Sequence, residues 1–271
     1  MLFAIPFPAI DPTLIQIGPF AIRWYALAYI VGIVLGWRLA RRLVVRPPQV
    51  ATPEQIDDFI TWVTLGIVLG GRLGYVLFYR PGYYVTAPWE ALYLWHGGMS
   101  FHGGALGVIL ACYLFARHNR LDWVAFADRV VCVVPIGLFL GRCANFINGE
   151  LWGRVADVPW AMVFPGGGPE PRHPSQLYQA ALEGAVLFAV LMWLCGKEAV
   201  RARAGMLSGA FLAGYGIARI IGEFFRQPDA HLGFLWAGAT MGQLLSFPMV
   251  LVGAWLIWRA KPVRPPVHGT A

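Results

Sequence analysis

The chain has 271 residues, 58% of them hydrophobic and 13% charged, with a formal charge of +7. An ordinary soluble domain carries about 25% charged residues, so this composition excludes one and predicts an all-α integral membrane protein. The basic excess is spread over the connections between apolar runs, which fits membrane topology and argues against nucleic acid as a partner.

The first apolar run, 21–40, is followed by Arg38, Arg41, Arg42 and Arg46, with Arg23 alone near its start. Basic residues gather on the cytoplasmic side of spans, so the N-terminus is expected outside. The opening residues, with Pro6, Pro8, Asp11 and Pro12, have no basic cluster, and no removable signal is expected there. The second span, 57–78, holds Gly70, Gly71, Arg72 and Gly74, small residues that permit close helix approach. Residues 79–98 mix aromatics with Pro and Gly and are expected to form an external interfacial arm. The third span, 99–116, ends inside at Arg117 and Arg120, and the fourth, 123–146, returns outward.

Residues 151–174, rich in Pro and Gly, are expected to form a small external head, with short strands around 160–164. The fifth span, 175–195, ends at Lys197, Arg201 and Arg203; the sixth, 206–225, runs outward. After an external loop at 226–237, the seventh, 239–258, finishes inside at Arg259, Lys261 and Arg264. The expectation is thus about seven transmembrane helices with a cytoplasmic C-terminus and a disordered tail over 261–271. Cys112, Cys132, Cys143 and Cys195 lie in apolar runs without a CxxC and read as small buried hydrophobes. Neither a metal nor another cofactor is expected.

Polar residues within the spans carry the chemistry. At about 1.5 Å per residue, Arg72, Arg142 and Arg219 lie roughly 22, 28 and 20 Å from the inner starts of their spans. All three are therefore expected in the outer half of the bilayer, forming one outward-opening anionic site. Arg142 opens a dense polar run, GRCANFINGELWG, in which Asn145, Asn148 and Glu150 are expected to aim its guanidinium at a phosphate. Tyr215, Arg219 and Glu223 recur at i, i+4 and i+8 as one polar stripe, with Arg226 following. Gln176, Gln179 and Glu183 form a second stripe, for which a supporting role is the favoured reading. In HGGMSFHGG, His102 stands where the third span enters the membrane, a position for a proton acceptor; His96 is the weaker candidate. His173 reads as structural, and Tyr25 begins the first span in the same outer leaflet.

The run 141–153 resembles the signature of the prolipoprotein diacylglyceryl transferases, matching at Gly141, Arg142, Asn145, Phe146, Asn148, Glu150 and Gly153. The likeness extends to GGRLGYVLFY, HGGMSFHGG, HPSQLYQA and GYGIARIIGEFFRQPD. It implies an enzyme of the bacterial cytoplasmic (inner) membrane, its active site facing the outer, periplasmic side. Such an enzyme moves a diacylglyceryl group from phosphatidylglycerol to the lipobox cysteine of a prolipoprotein, making a thioether and releasing glycerol phosphate. His102 would then assist thiol deprotonation, and Arg142 and Arg219 would hold the phosphodiester. Asn145, Asn148, Glu150 and Glu223 would orient them or contact the glycerol, with Tyr25 and Tyr215 lining the site. A transporter, or a lipid-binding protein without catalysis, would share the arginines but not the base.

Overall fold

A computed structural model describes residues 5–8, 10–18, 20–228, 233–235 and 238–263. The helices are α1 (Trp24–Val44), α2 (Pro53–Phe78), α3 (Pro81–Thr86), α4 (Phe101–His118), α5 (Trp123–Val131), α6 (Val134–Ile147), α7 (Ser175–Gln179), α8 (Leu187–Gly196), α9 (Glu198–Arg201), α10 (Met206–Glu223) and α11 (Met241–Trp258). A π-helical stretch, Ala180–Val186, joins α7 to α8, and two 3-10 turns, Pro88–Leu92 and Leu94–His96, precede α4. Strands are short: β1 (Ile5–Pro6) pairs in parallel with β4 (Met162–Val163), β2 (Thr13–Ile17) antiparallel with β3 (Phe20–Arg23), and β5 (Arg203–Ala204) antiparallel with β6 (Lys261–Pro262).

Among the described residues, four helical segments are long and apolar enough to cross a membrane: Pro53–Phe78, Trp123–Ile147, Ser175–Gly196 and Met241–Trp258. Helices α1, α4 and α10 occupy the places of the other three expected spans. Large apolar side chains on these helices point outward, among them Trp193 at 62% and Leu251 at 55% exposure, which hydrocarbon tolerates and water does not. The fourth expected span is interrupted at Cys132 and Val133, since Pro135 at the start of α6 has no N–H for the helical ladder. The disordered tail is corrected at its first two residues: Lys261 and Pro262 pair with Ala204 and Arg203. Residues 264–271 lie outside the described residues, as does part of the loop expected at 226–237.

The chain divides into two compact units, one made of Met1–Ala40 with Asp128–Pro262, the other of Arg41–Ala127 with Val263–Ala271. In the second unit, α2 starts from a capping box in which Thr52 and Gln55 exchange side-chain to backbone hydrogen bonds. Its core is aromatic: Phe59 stands 5.2 Å from Phe115 and 5.1 Å from Phe126. Higher along α2 the packing against α4 switches to glycines. A Cβ on Gly66 would lie 2.6 Å from the Gly107 carbonyl oxygen, a backbone atom that cannot swing aside. Gly66→Leu is therefore expected to force the two helices apart and cost about 1–3 kcal/mol. A lower unfolding temperature in detergent would show it, and an unchanged one would mean that the helices can separate freely.

Arg72 takes a different place from the one expected. It is buried, and its guanidinium donates to the carbonyl oxygens of Ala91 (2.8 Å), Glu90 (2.8 Å), Tyr93 (3.1 Å), Gly98 (3.2 Å) and Gly97. A planar fork with five N–H donors suits that convergence of carbonyls. Arg72 thus anchors the 79–98 segment on α2, and its donors are not offered to an anion.

The first unit packs α6, the π-helical stretch, α8, α10 and α11 against one another. Its buried apolar side chains include Leu187, Leu191, Leu207 and Cys195. Asp128, fully buried, replaces the missing cap of α10: its carboxylate accepts from the backbone N–H of Gly205 (2.9 Å) and Ser208 (2.8 Å). Unpaired N–H groups and the positive dipole end at a helix start both favour a carboxylate there.

Candidate active site

The polar run 141–153 straddles the end of α6, and the way that helix stops shapes the site. Gly149 adopts φ +65°, the left-handed conformation that lets the chain turn back. Its N–H reaches the Phe146 carbonyl (2.9 Å), and the Glu150 N–H reaches that of Asn145 (3.1 Å). This paired pattern is a Schellman stop. It folds Glu150 over the last turn of its own helix, where one carboxylate oxygen accepts from the amides of Asn145 (2.8 Å) and Asn148 (3.3 Å). The Gln176 amide then donates to the Glu150 carbonyl at 2.5 Å, tying the turn to α7.

Asn145, Asn148 and Glu150 therefore serve one another, and the expectation that they aim Arg142 is corrected. Arg142 sits one turn earlier on α6 and points elsewhere. Its Nε and Nη2 donate to one oxygen of Glu183 at 3.1 and 2.9 Å. The other Glu183 oxygen receives Arg219 Nη1 at 3.4 Å. Glu183 is fully buried in the π-helical stretch, while the two arginine side chains keep 16% and 12% exposure. Arg142 and Arg219, from α6 and α10, thus converge on one carboxylate. Tyr215 stands one turn before Arg219 on the same helix, α10.

Glu223 holds Arg219 from its other side by an ion pair of 2.6 Å, as the i, i+4 spacing predicts, and lies 3.5 Å from Arg226 Nη1. Its second oxygen accepts from the Thr240 hydroxyl at 2.7 Å, and Thr240 is the N-cap of α11. Glu223 is thus set at a helix start, where negative charge is favoured.

Tyr25 lines a hollow. A cavity of about 480 Å³ is lined by Ala21, Arg23, Tyr25, Ala26, Asn148 and Glu150. Asn148, which lines this cavity, keeps its Oδ1 buried without a hydrogen-bond partner among the described residues, and so, beside Gly222, do both amide atoms of Gln179. Such groups call for water or a ligand.

His102 belongs to the other unit, in the first turn of α4, whose N-cap is Ser100. It is exposed, and its ring stands 5.7 Å from that of Phe101. His173 does have a packing role: its Nδ1 lies 3.2 Å from the Tyr178 hydroxyl, and its ring packs on Phe225 at 5.2 Å. Burial pushes its pKa down, with Asp157 pulling the other way. Among the described residues no group of three or more His, Cys, Asp or Glu side chains is placed to hold a metal.

Glu183 as the shared counter-ion of both arginines, and Thr240 behind Glu223, are what sequence reasoning missed. The signal for Glu183 was its place on the Gln176–Gln179 stripe, all three side chains being fully buried. Thr240 left only the cap pattern with Gln243.

Helices long and apolar enough to cross a membrane, with two arginines sharing one buried carboxylate among them, define a multi-pass membrane protein. Residues 12–259 match the family model of the prolipoprotein diacylglyceryl transferases, and the chain belongs to that family. It is similar to the phosphatidylglycerol–prolipoprotein diacylglyceryl transferase of Paramagnetospirillum magneticum, with 65% identity over 96% of this chain and 98% of the relative. Enzymes of the same name from Gluconacetobacter diazotrophicus (58% identity; 98% and 96% covered) and Rhodospirillum centenum (56%; 98% and 98%) are also similar.

Proposed function

We propose that this chain transfers the diacylglyceryl group of phosphatidylglycerol to the lipobox cysteine thiol of a prolipoprotein, the first step of bacterial lipoprotein maturation. The names of its relatives support the donor and the acceptor. The observation that carries the chemistry is the convergence of Arg142 and Arg219 on Glu183. Each guanidinium has five N–H donors; Glu183 engages two on Arg142 and one on Arg219, and Glu223 pairs with Nη2 of Arg219. The remainder suit phosphate oxygens, which planar forks bind two at a time.

In the reaction the cysteine sulfur attacks the carbon of the diacylated glycerol that is bonded to the phosphate oxygen. The carbon–oxygen bond breaks, its electron pair leaves with glycerol phosphate, and a carbon–sulfur bond replaces it. Fixed guanidinium groups favour the charge that develops on the departing phosphate, and a site closed to bulk water strengthens them. A thiol with a pKa near 8.5 is mostly protonated at neutral pH, so a base is useful, and His102 is our candidate. Glu223 and Glu183 orient the arginines. Asn148 and Glu150, which line the same hollow as Tyr25, receive the glycerol hydroxyls, with Asn145 bracing Glu150.

Seven helical segments cross the bilayer in this reading, with the N-terminus outside and the C-terminus in the cytoplasm. Basic residues follow α1, α4, α8 and α11, which supports that direction. The site then faces the outer side of the inner membrane, where phosphatidylglycerol headgroups and an exported prolipoprotein meet.

The direct test is release of glycerol phosphate from phosphatidylglycerol in the presence of a lipobox peptide. Release without peptide, or none with it, would contradict the transfer. If His102 is the base, His102→Gln lowers transfer about a hundredfold or more while lipid binding survives. Full activity in that variant would assign the proton to another group.

A further inference from the structure

Residues Trp152–Arg154 lie along the chain just past the end of α10. Gly153 and Arg226 form an antiparallel bridge, the Arg154 N–H donates to the Phe225 carbonyl at 2.9 Å, and the Gln227 N–H to that of Trp152 at 3.3 Å. The approach is close enough to forbid a side chain on Gly153, whose Cβ would stand 2.5 Å from the Phe225 oxygen. The Arg154 guanidinium completes the strap. Its Nε donates to the Arg226 carbonyl at 3.0 Å and its Nη2 to the Glu223 carbonyl at 3.1 Å. The Phe234 ring covers its carbon at 5.1 Å.

The last carbonyls of a helix have no partner inside it and mark the negative end of its dipole, so a cation with forked donors is favoured there twice over. Glu223 is the residue on which two holds meet. Its backbone carbonyl takes Arg154, and its carboxylate takes Arg219 at 2.6 Å and the Thr240 hydroxyl at 2.7 Å. We propose that Arg154 is a positioning residue for the transfer reaction: it fixes the last turn of α10, and with it the carboxylate that aims Arg219 at the phosphate. This rests on the transferase reading above. Arg154 itself touches no reacting atom; it acts through Glu223.

The test uses the full chain in detergent or vesicles, with phosphatidylglycerol and a lipobox peptide. Arg154→Gln is expected to lower kcat on the order of tenfold, with a much smaller change in KM for the lipid. Arg154→Lys recovers part of the loss, because an ammonium supplies the charge but cannot bridge two carbonyls as a fork does. In a Glu223→Gln background the same Arg154 change costs little further activity, since both act on one element. A role confined to folding would leave the kcat to KM balance alone and give full, additive costs in that background, and either result overturns the proposal. Amide exchange supplies a readout independent of turnover: residues 224–227 exchange faster in Arg154→Gln, and unchanged protection there also overturns it. If the unaltered chain released no glycerol phosphate, the transferase reading would fall, and the exchange data would still report whether Arg154 holds this turn. Should Arg154→Gln not accumulate, the cycle is run with Arg154→Lys.

Discussion

Glu183→Ala is expected to abolish transfer and to destabilise the first unit by about 3–5 kcal/mol. Glu183 is fully buried, and each of its oxygens is the ion-pair partner of a different arginine. Removing it leaves two guanidiniums, 16% and 12% exposed, facing each other without their common counter-charge. Like charges held near one another away from bulk water repel, so the forks swing away from each other. Arg219 retains Glu223, whereas Arg142 has lost its only carboxylate partner among the described residues. Glu183→Gln keeps the volume and one acceptor but not the charge, and an intermediate loss is expected. Thermal unfolding in detergent and glycerol phosphate release measure the two effects. An alanine variant as stable and as active as the parent would refute the idea that this carboxylate sets the site.

The course of the helices was legible because apolar runs and basic connections are written directly in composition. Counting residues along each helix grouped Arg142 with Arg219, and the two do share the Glu183 carboxylate. The same arithmetic failed for Arg72. Depth says how far along a helix a group lies, not what a neighbouring loop offers it. The carbonyls of residues 90–98 lie within reach and take all its donors.

Partner choice was the harder question around Arg142. Three polar residues close behind it suggested themselves as its guides, but a left-handed Gly149 turns Glu150 back onto Asn145 and Asn148. The partner that Arg142 does take lies 41 residues further along the chain. No local pattern encodes such a pairing. It becomes visible only when α6 and the π-helical stretch are brought together, with Gly184 letting the Phe139 side chain approach closely.

Arg142→Ala is expected to cut kcat by about a hundred- to a thousandfold, the cost of removing one preorganised donor group from a developing negative charge. Membrane insertion and the unfolding temperature change far less than in Glu183→Ala. Glu183 keeps an arginine partner in this variant, since Arg219 remains 3.4 Å away. Arg142→Lys separates charge from shape. An ammonium still neutralises Glu183 but cannot hold a carboxylate and phosphate oxygens along two edges of a plane, so most of the loss persists. Arg219→Ala is expected to be at least as damaging, because it takes a partner from Glu183 and from Glu223 at once. The double variant then loses much less than the sum of the two, for the arginines share one carboxylate and act as a unit. Steady-state kinetics with phosphatidylglycerol and a lipobox peptide would show that shortfall. Strictly additive losses would mean that the two guanidiniums serve separate anions, and a shared grip on one departing phosphate would no longer hold.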